Sequence, residues 1–364
     1  RRQMRQLEDS WYSQAMIDRS QIRLQQLGYF KKVDIDKQRV PGSQDQVDVT
    51  VKVEEQSAGS LQFGVGYSQY SGVILSASVS QNNFLGTGDS FSVGAETSTF
   101  YKRINASYYN PFLTDNGIGI GYTLGYSKTD YGNTTFANYA TSAKSFSTFL
   151  GIPITEFDSL RVGLGISSNK INLYPGYSPQ VLLDYQNALG HKTIHEWTGT
   201  LGWNHDTRNG YWAPTRGGLL SVSTDAALPG STVQHFRVSA EASHYWPIGA
   251  GFVLYLDGQA QYGSTYGNQT YKSSFGQYVA GQPLDYPFWQ NFYSGGVRDV
   301  RGFQDNTLGP RVCSGTDASG HAIQPSSNGY CTGSYYQYAQ PIGGAFKVLG
   351  TTELYLPLPF LKDI

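Results

Sequence analysis

Two histidines are the first residues whose type and spacing could do chemistry, because imidazole nitrogen is a common metal ligand. His195 and His205 share the parity of Trp197 and Trp203 in a period-two pattern. Such a pattern indicates one strand with both histidines on the same face, one near each end. We therefore expect both histidines to lie at interfaces rather than to bind a metal.

No other group of residues has the spacing of a catalytic site. No nucleophile is followed by a base and an orienting group at useful spacing. Gly163 and Gly165 recur like the glycines of a phosphate loop, but no helix follows them as such a loop requires. The sequence therefore predicts no catalysis, no cofactor and no metal, and the chain is not expected to be an enzyme.

Cys313 and Cys331 are the two cysteines of the chain, and both lie in a stretch rich in Gly, Ser and Asn. This placement fits one disulfide that closes a loop in an oxidising compartment. Two unrelated free thiols are the alternative.

The composition is unlike that of an ordinary soluble domain. Charged residues make up 15% of the chain and aromatic residues 14%, whereas soluble domains have about a quarter charged residues. The net charge of −1 offers no basic surplus for phosphates, so nucleic acid is not expected as a partner. No stretch has the roughly 18 apolar residues of a transmembrane helix, but strands of a membrane barrel need only about 9–11 alternating residues.

Residues 1–56 differ from the rest in their dense charge and few glycines. Four residues recur at spacings compatible with one helical face: Tyr12, Met16, Leu24 and Leu27. The predicted helix ends at Gly28, and strand-like runs follow at 29–36 and 46–54. The segment therefore reads as a small α+β module.

From about residue 59 the period of the pattern changes to two. We count about eleven such strands up to residue 262, then a long region at 263–343, then one more strand at about 345–356. One face of each strand is apolar and the other polar, as where Phe236 and Val238 alternate with Arg237.

This alternation indicates a barrel with lipid outside and water inside, because the interior of a small soluble barrel would be the apolar side. Aromatic residues gather at segment ends, as interfacial girdles require: Tyr108, Tyr109, Trp203, Tyr211, Trp212, Tyr245 and Trp246. A soluble β-sandwich is the alternative. The predicted fold class is mainly β, a transmembrane antiparallel β-barrel preceded by one α+β module.

Residues 295–310 of the long region read GGVRDVRGFQDNTLGP. Their segment Val300, Arg301, Gly302 and Phe303 resembles the Val-Arg-Gly-Phe signature in the sixth external loop of the BamA superfamily. The resemblance extends over nearly the whole chain, since residues 1–55 resemble its final POTRA module, 83–88 and 110–117 its early barrel turns, and 350–360 the segment after the loop.

The resemblance implies assembly and insertion of β-barrel proteins into the bacterial outer membrane. Residues 1–56 would be the last POTRA module, in the periplasm, and 57–364 the barrel, whose loop at 263–343 folds back into the lumen. Family barrels have about sixteen strands and we find about twelve. We therefore expect a barrel truncated at its C-terminus.

The resemblance also implies that Arg301 pins the tip of the loop inside the lumen. A guanidinium can donate to a carboxylate through two hydrogen bonds, and the acceptor is expected on the following strand. Four residues of that strand share the lumen-facing parity: Lys347, Thr351, Glu353 and Tyr355. Glu353 is the expected acceptor, and the alternative is that Arg301 is a solvated loop charge.

In this family the first barrel strand pairs weakly with the last and can open, which makes residues 59–69 a lateral gate. Its predicted gate residues are Gly59, Leu61, Phe63, Gly64 and Gly66. The glycines weaken a strand, which fits a strand that opens, although barrel strands are often rich in glycine.

The implied partners are unfolded outer-membrane β-barrel clients, outer-membrane lipids and accessory Bam lipoproteins including BamD. Arg5 and Glu8 match a helical stretch that meets BamD in the family, and two exposed charges without a role are the alternative. A related translocator, either a two-partner secretion pore or a TamA-like protein, is the nearest rival function, and an outer-membrane enzyme barrel is the more distant one.

Overall fold

The computed structural model describes residues 4–26, 30–43, 45–55, 59–68, 72–114, 116–130, 139–210, 214–297, 299–334 and 338–357. Most of them lie in antiparallel strands, which confirms the predicted mainly β fold class. Leu27 of the predicted helical face and the predicted girdle residues Tyr211 and Trp212 lie outside this part of the chain.

The N-terminal module contains one helix and one hairpin. Its elements are α1 (Gln14–Gln26), β1 (Phe30–Arg39) and β2 (Val47–Glu55), with β1 and β2 antiparallel. Ile17 and Leu24 of α1 are buried against Val33 and Ile35 of β1. Burial of these four apolar side chains holds the helix on the hairpin, since apolar area removed from water is the main favourable contribution to folding.

The predicted face of this helix is partly wrong. The helix begins at Gln14, so Tyr12 precedes it, and the side chain of Met16 is 48% exposed. The buried face runs instead through Ile17, Ser20 and Leu24, at the spacing of three and four residues that places side chains over one another on a helix.

The second unit is a sheet of 12 antiparallel strands in which neighbours in the chain are neighbours in space. Its strands are β3 (Gly59–Ser68), β4 (Gly72–Phe84), β5 (Asp89–Thr97), β6 (Tyr101–Asn110), β7 (Gly119–Asp130), β8 (Tyr139–Pro153), β9 (Asp158–Leu173), β10 (Thr193–Asp206), β11 (Gly217–Ala227), β12 (His235–Gly249), β13 (Phe252–Thr265) and β16 (Phe346–Tyr355). β3 and β16 form its two edges among the described residues.

The two faces of the sheet differ in polarity, as the alternation predicts. On β16, Phe346 and Val348 are exposed on one face, while Lys347 and Glu353 lie half-buried on the other. The region between β13 and β16 packs on the face of Lys347 and Glu353. We call this the inner face and the opposite, apolar one the outer face.

Short elements connect the long strands at one end of the sheet. They are α2 (Gln180–Leu189) between β9 and β10, a 3-10 helix (Phe288–Gln290), and the two-stranded pair β14 (Arg311–Val312) and β15 (Gln340–Pro341). The pattern predicted none of these elements. Within the described residues, neither α-helix is long and apolar enough to cross a membrane.

The N-terminal module contacts the opposite end of the sheet. Arg19 of α1 forms an ion pair with Glu156, which lies in the turn between β8 and β9. The module therefore lies at the end of the sheet where β13 begins, and the loop between β13 and β16 starts at the opposite end.

Candidate functional site

The tip of the loop between β13 and β16 is a closed turn. Leu308 N donates to Ser294 O at 3.0 Å and closes it at its base. At the tip, Phe303 N donates to Val300 O at 3.4 Å, and Gly302 has a φ of +90°, which a residue with a Cβ rarely adopts. This turn presents Arg301 at its tip.

Arg301 contacts the strand that follows the loop. Its Nη2 donates to Glu353 Oε1 at 2.5 Å, and Glu353 lies opposite Tyr255 in the register of β13 and β16. The Arg301 side chain is 71% exposed and that of Glu353 23%. The structure thus brings together the two residues that the sequence analysis paired, with the carboxylate as the more enclosed partner.

A second ion pair, which the sequence analysis missed, lies beside the first. Lys347 Nζ donates to Asp299 Oδ2 at 2.5 Å, and their side chains are only 12% and 22% exposed. Asp299 is two residues before Arg301 and Lys347 six residues before Glu353. Two ion pairs of opposite polarity therefore join the loop tip to β16. The signal in the sequence was the parity that placed Lys347 on the inner face.

We expect Arg301→Glu to loosen the loop tip, because it removes one ion pair and brings a second carboxylate near Glu353. The ratio of docked to undocked loop tip should fall by about 2- to 5-fold, because an exposed ion pair contributes only about 0.2–1 kcal/mol. Limited proteolysis of the full-length protein, with cleavage mapped within residues 294–308, measures this ratio.

The double variant Arg301→Glu with Glu353→Arg should regain resistance, because it restores the pair with its charges exchanged. If it is cleaved as fast as the single variant, the pairing does not hold the loop. The matched control exchanges the neighbouring pair, Asp299→Lys with Lys347→Asp, and should behave like the wild-type protein.

The first part of the loop, soon after β13, packs around one tyrosine of α2. The ring of Tyr185 makes edge-to-face contacts with Tyr271, Tyr278, Phe288 and Trp289 at 5.5–5.8 Å between centroids. Burial raises the pKa of Tyr278 to about 12, which reflects how far the cluster excludes water. The cluster fixes the loop to the segment between β9 and β10.

Cys313 and Cys331 are joined by a disulfide and are buried. Ser314 Oγ donates to Tyr177 O at 2.7 Å, which ties the bridge to the chain before α2. The disulfide-closed part of the loop is therefore attached to the segment between β9 and β10, the segment that also contains Tyr185.

Reduction of this disulfide should destabilise the part of the loop that it closes by about 3 kcal/mol, because a bridge over a loop of this length restricts the unfolded chain. The readout is the rate of proteolysis between residues 314 and 330 with and without reductant. Cys331→Ser is the control and should show no further response to reductant. Equal rates for the oxidised and reduced wild-type protein would contradict a stabilising role.

β3, which contains the predicted gate residues, is one edge of the sheet. Among the described residues it pairs with β4 alone. Leu61 and Phe63 are exposed on the outer face, the latter by 77%, and the register places Gly59 with them and Gly64 and Gly66 on the inner face. An apolar outer face and a backbone edge that pairs with no second described strand thus occur on β3.

The whole chain is similar to known proteins. A family model described as the Omp85 superfamily domain matches residues 83–364, and one described as POTRA, surface antigen variable number repeat, matches residues 1–56. The chain belongs to the Omp85 superfamily. The 12-stranded antiparallel sheet is therefore that of an Omp85 protein.

Relatives of this Omp85 chain include two outer membrane protein assembly factors named BamA. That of Neisseria meningitidis serogroup B is 30% identical over 100% of the chain and 42% of its own length. That of Nitratidesulfovibrio vulgaris is 24% identical over 85% of the chain and 36% of its own length. The chain thus spans less than half the length of these relatives.

A solved structure is also similar to this Omp85 chain. The crystal structure of BamA from Haemophilus ducreyi lacking POTRA domains 1–3 matches with a TM-score of 0.73 and 27% identity, over 100% of the chain and 65% of that structure. The order of module, sheet and loop thus follows the order of a known BamA structure.

The structure also places the remaining predicted positions, which are the charged pair of the module and the two histidines. Arg5 and Glu8 do not lie on a helix, because they occupy bends and turns and α1 begins only at Gln14. His195 is exposed on the outer face, and His205 Nδ1 lies 2.9 Å from Asp158 Oδ1 at the other end of β10. The helical setting expected for Arg5 and Glu8 is therefore wrong.

Proposed function

We propose that this chain is the membrane-proximal part of an outer-membrane assembly factor that inserts β-barrel clients into the bacterial outer membrane without enzymatic chemistry. Similarity over the whole chain to proteins named outer membrane protein assembly factor carries this proposal. In it, residues 1–56 are a periplasmic POTRA module and 57–364 the barrel, with 263–343 as its lumenal loop.

The surface chemistry of the sheet supports a location in the membrane. The outer face exposes large apolar side chains on strand after strand, among them Leu75, Val93, Leu124, Leu164 and Leu201. Exposed apolar area of this extent is unfavourable in water and favourable in lipid. The inner face carries ion pairs such as Arg237 with Asp225, which require a polar lumen.

The edge strand β3 suggests how clients are received. A strand with unpaired N–H and C=O groups can pair with an incoming strand, which is β-augmentation. Gly64 and Gly66 place no side chains on the inner face of β3, so fewer contacts oppose opening. In the full-length protein we propose that β3 pairs reversibly with the strand that closes the barrel.

The N-terminal module would meet accessory lipoproteins of the BamD kind. Arg5 and Glu8 are exposed and lie on the same module as Arg19, which faces the sheet. Cross-linking from positions 5 and 8 in the full-length protein tests this docking, and cross-links to no lipoprotein would exclude it.

Depletion of the full-length protein from its source organism should lower the folded, heat-modifiable form of many outer-membrane barrels together. An inner-membrane helical protein serves as the control and should be unaffected. Loss of a single exported substrate would indicate a translocator instead, and unchanged levels of all barrels would contradict the assembly function.

A further inference from the structure

The outer face of the sheet carries its positive charge in one place. The register assigns four lysines to this face, all exposed and all on consecutive strands: Lys102 on β6, Lys128 on β7, Lys144 on β8 and Lys170 on β9. We call them the lysine patch. No other described strand position on the outer face is a lysine or an arginine.

The patch lies far from the N-terminal module. Lys170 is twelve residues along β9 from Asp158, which follows the turn that contacts Arg19, and this corresponds to roughly 40 Å of strand. Asp89 and Asp158 are outer-face acids at the end of the sheet that contacts the module. Asp130 ends β7 at the other end of the sheet and is the outer-face acid nearest to the patch. One carboxylate thus faces four ammonium groups.

Two lysines of the patch are direct cross-strand neighbours. Lys102 lies opposite Lys128, and Ser142 lies between Lys128 and Lys170 in the same row. Like charges directly opposite each other destabilise a sheet, and Lys128 and Lys170 are about 10 Å apart across two strand spacings. An anion that several ammonium groups contact at once would remove this repulsion.

A groove of about 590 Å³ adjoins the patch on the outer face of β7–β10. Lys144 and His195 line it at the end near the patch, and Leu124, Phe146 and Ile166 line it two residues further toward the middle of the sheet. Tyr126 and Trp197 also line it, and such side chains favour the boundary between headgroups and acyl chains. The outer-face side chains of the groove are therefore cationic at one end and mostly apolar further along. Glu196 also borders the groove, but its carboxylate lies on the inner face, where it accepts a hydrogen bond from Trp289 Nε1.

We propose that the lysine patch binds the phosphorylated headgroup of an anionic lipid, one of whose acyl chains lies in the groove. The orientation rests on the proposed function: with the module in the periplasm, the patch faces the outer leaflet, so the ligand is a phosphorylated glycolipid of that leaflet. Charge complementarity selects lipid phosphate, and the adjoining apolar groove selects a lipid over free phosphate. The bound lipid would anchor β6–β9 while β3, at the sheet edge, opens.

The test uses the full-length protein in phosphatidylcholine nanodiscs and measures bound lipid by native mass spectrometry. The probes are lipid A with both phosphates and lipid A without phosphates. The wild-type protein should prefer the phosphorylated form. Lys102→Gln, Lys128→Gln, Lys144→Gln and Lys170→Gln combined should weaken its binding by about tenfold or more.

The matched control neutralises four lysines of the N-terminal module, Lys31→Gln, Lys32→Gln, Lys37→Gln and Lys52→Gln combined, and should bind lipid A like the wild-type protein. Equal loss in control and patch variants would overturn the proposal, as would equal binding of both lipid A forms. Retention of inorganic phosphate alone by the patch would replace the lipid by a free anion and also overturn it. Lipid binding is read without clients, so failure here is distinguishable from failure of the assembly function.

Discussion

A disulfide that joins β3 to the strand closing the barrel in the full-length protein should abolish client insertion. The variant places one cysteine at Gln62, on the inner face of β3, and the other at the facing residue of the closing strand. A covalent bond across the seam prevents the edge of β3 from pairing with a client strand. Insertion of a barrel client into liposomes should fall to the level of protein-free liposomes, and reductant should restore it.

A second disulfide on the other side of β3 is the control. Gln62 and Ser78 are neighbours in the register of β3 and β4, and cross-strand Cα distances of about 4.5–5.5 Å suit a disulfide. Gln62→Cys with Ser78→Cys therefore locks a pair that need not open, and insertion should continue. Full activity of the protein locked across the seam would exclude a gating role for β3.

The second large effect is expected at the ring cluster around Tyr185, where Tyr185→Ala should release the contact between α2 and the loop. Removing a ring that contacts four others costs about 3 kcal/mol of local stability, through lost burial and the cavity left behind. Hydrogen exchange of residues 180–189 and 269–290 in the full-length protein measures this, and we expect exchange to accelerate by about 100-fold.

Tyr185→Phe separates packing from hydrogen bonding. It retains the ring and removes only the hydroxyl, which donates to Asp285 O at 3.1 Å, a loss of about 1 kcal/mol. Burial raises the pKa of Tyr185 well above its ordinary value, which accords with the enclosed position of this hydroxyl. If hydrogen exchange is equally fast in the Phe and Ala variants, ring packing does not hold α2 on the loop.

Sequence analysis could not predict α2 and the ring cluster around Tyr185, for a physical reason. α2 is buried on nearly every side, including at Leu182, Tyr185 and Ala188, so it lacks the single apolar stripe by which a surface helix is recognised. The pair of Asp299 and Lys347, 48 residues apart, was missed because the family resemblance implied a partner only for Arg301. Contacts between distant residues are set by the path of the loop, and no local periodicity encodes that path.

What the sequence determined by itself was the alternation of the strands. A period of two assigns every side chain to one of two faces, so the inward position of Glu353 and the outward position of Phe346 followed from counting along β16. The placement of Cys313 and Cys331 in one stretch rich in Gly, Ser and Asn likewise favoured a bridge over two free thiols, and the structure contains that bridge.

The sequence did not determine most of the residues that these side chains contact; the tertiary structure did. The resemblance and the strand parity had already paired Arg301 with Glu353, whereas the structure alone brought Asp299 to Lys347, enclosed Tyr185 among rings from the loop, and aligned Lys102 with Lys128 across two strands. Each of these contacts depends on strand register or loop path, which is a property of the whole packed sheet. The sequence therefore determined the direction of each strand side chain, and the fold determined its partner.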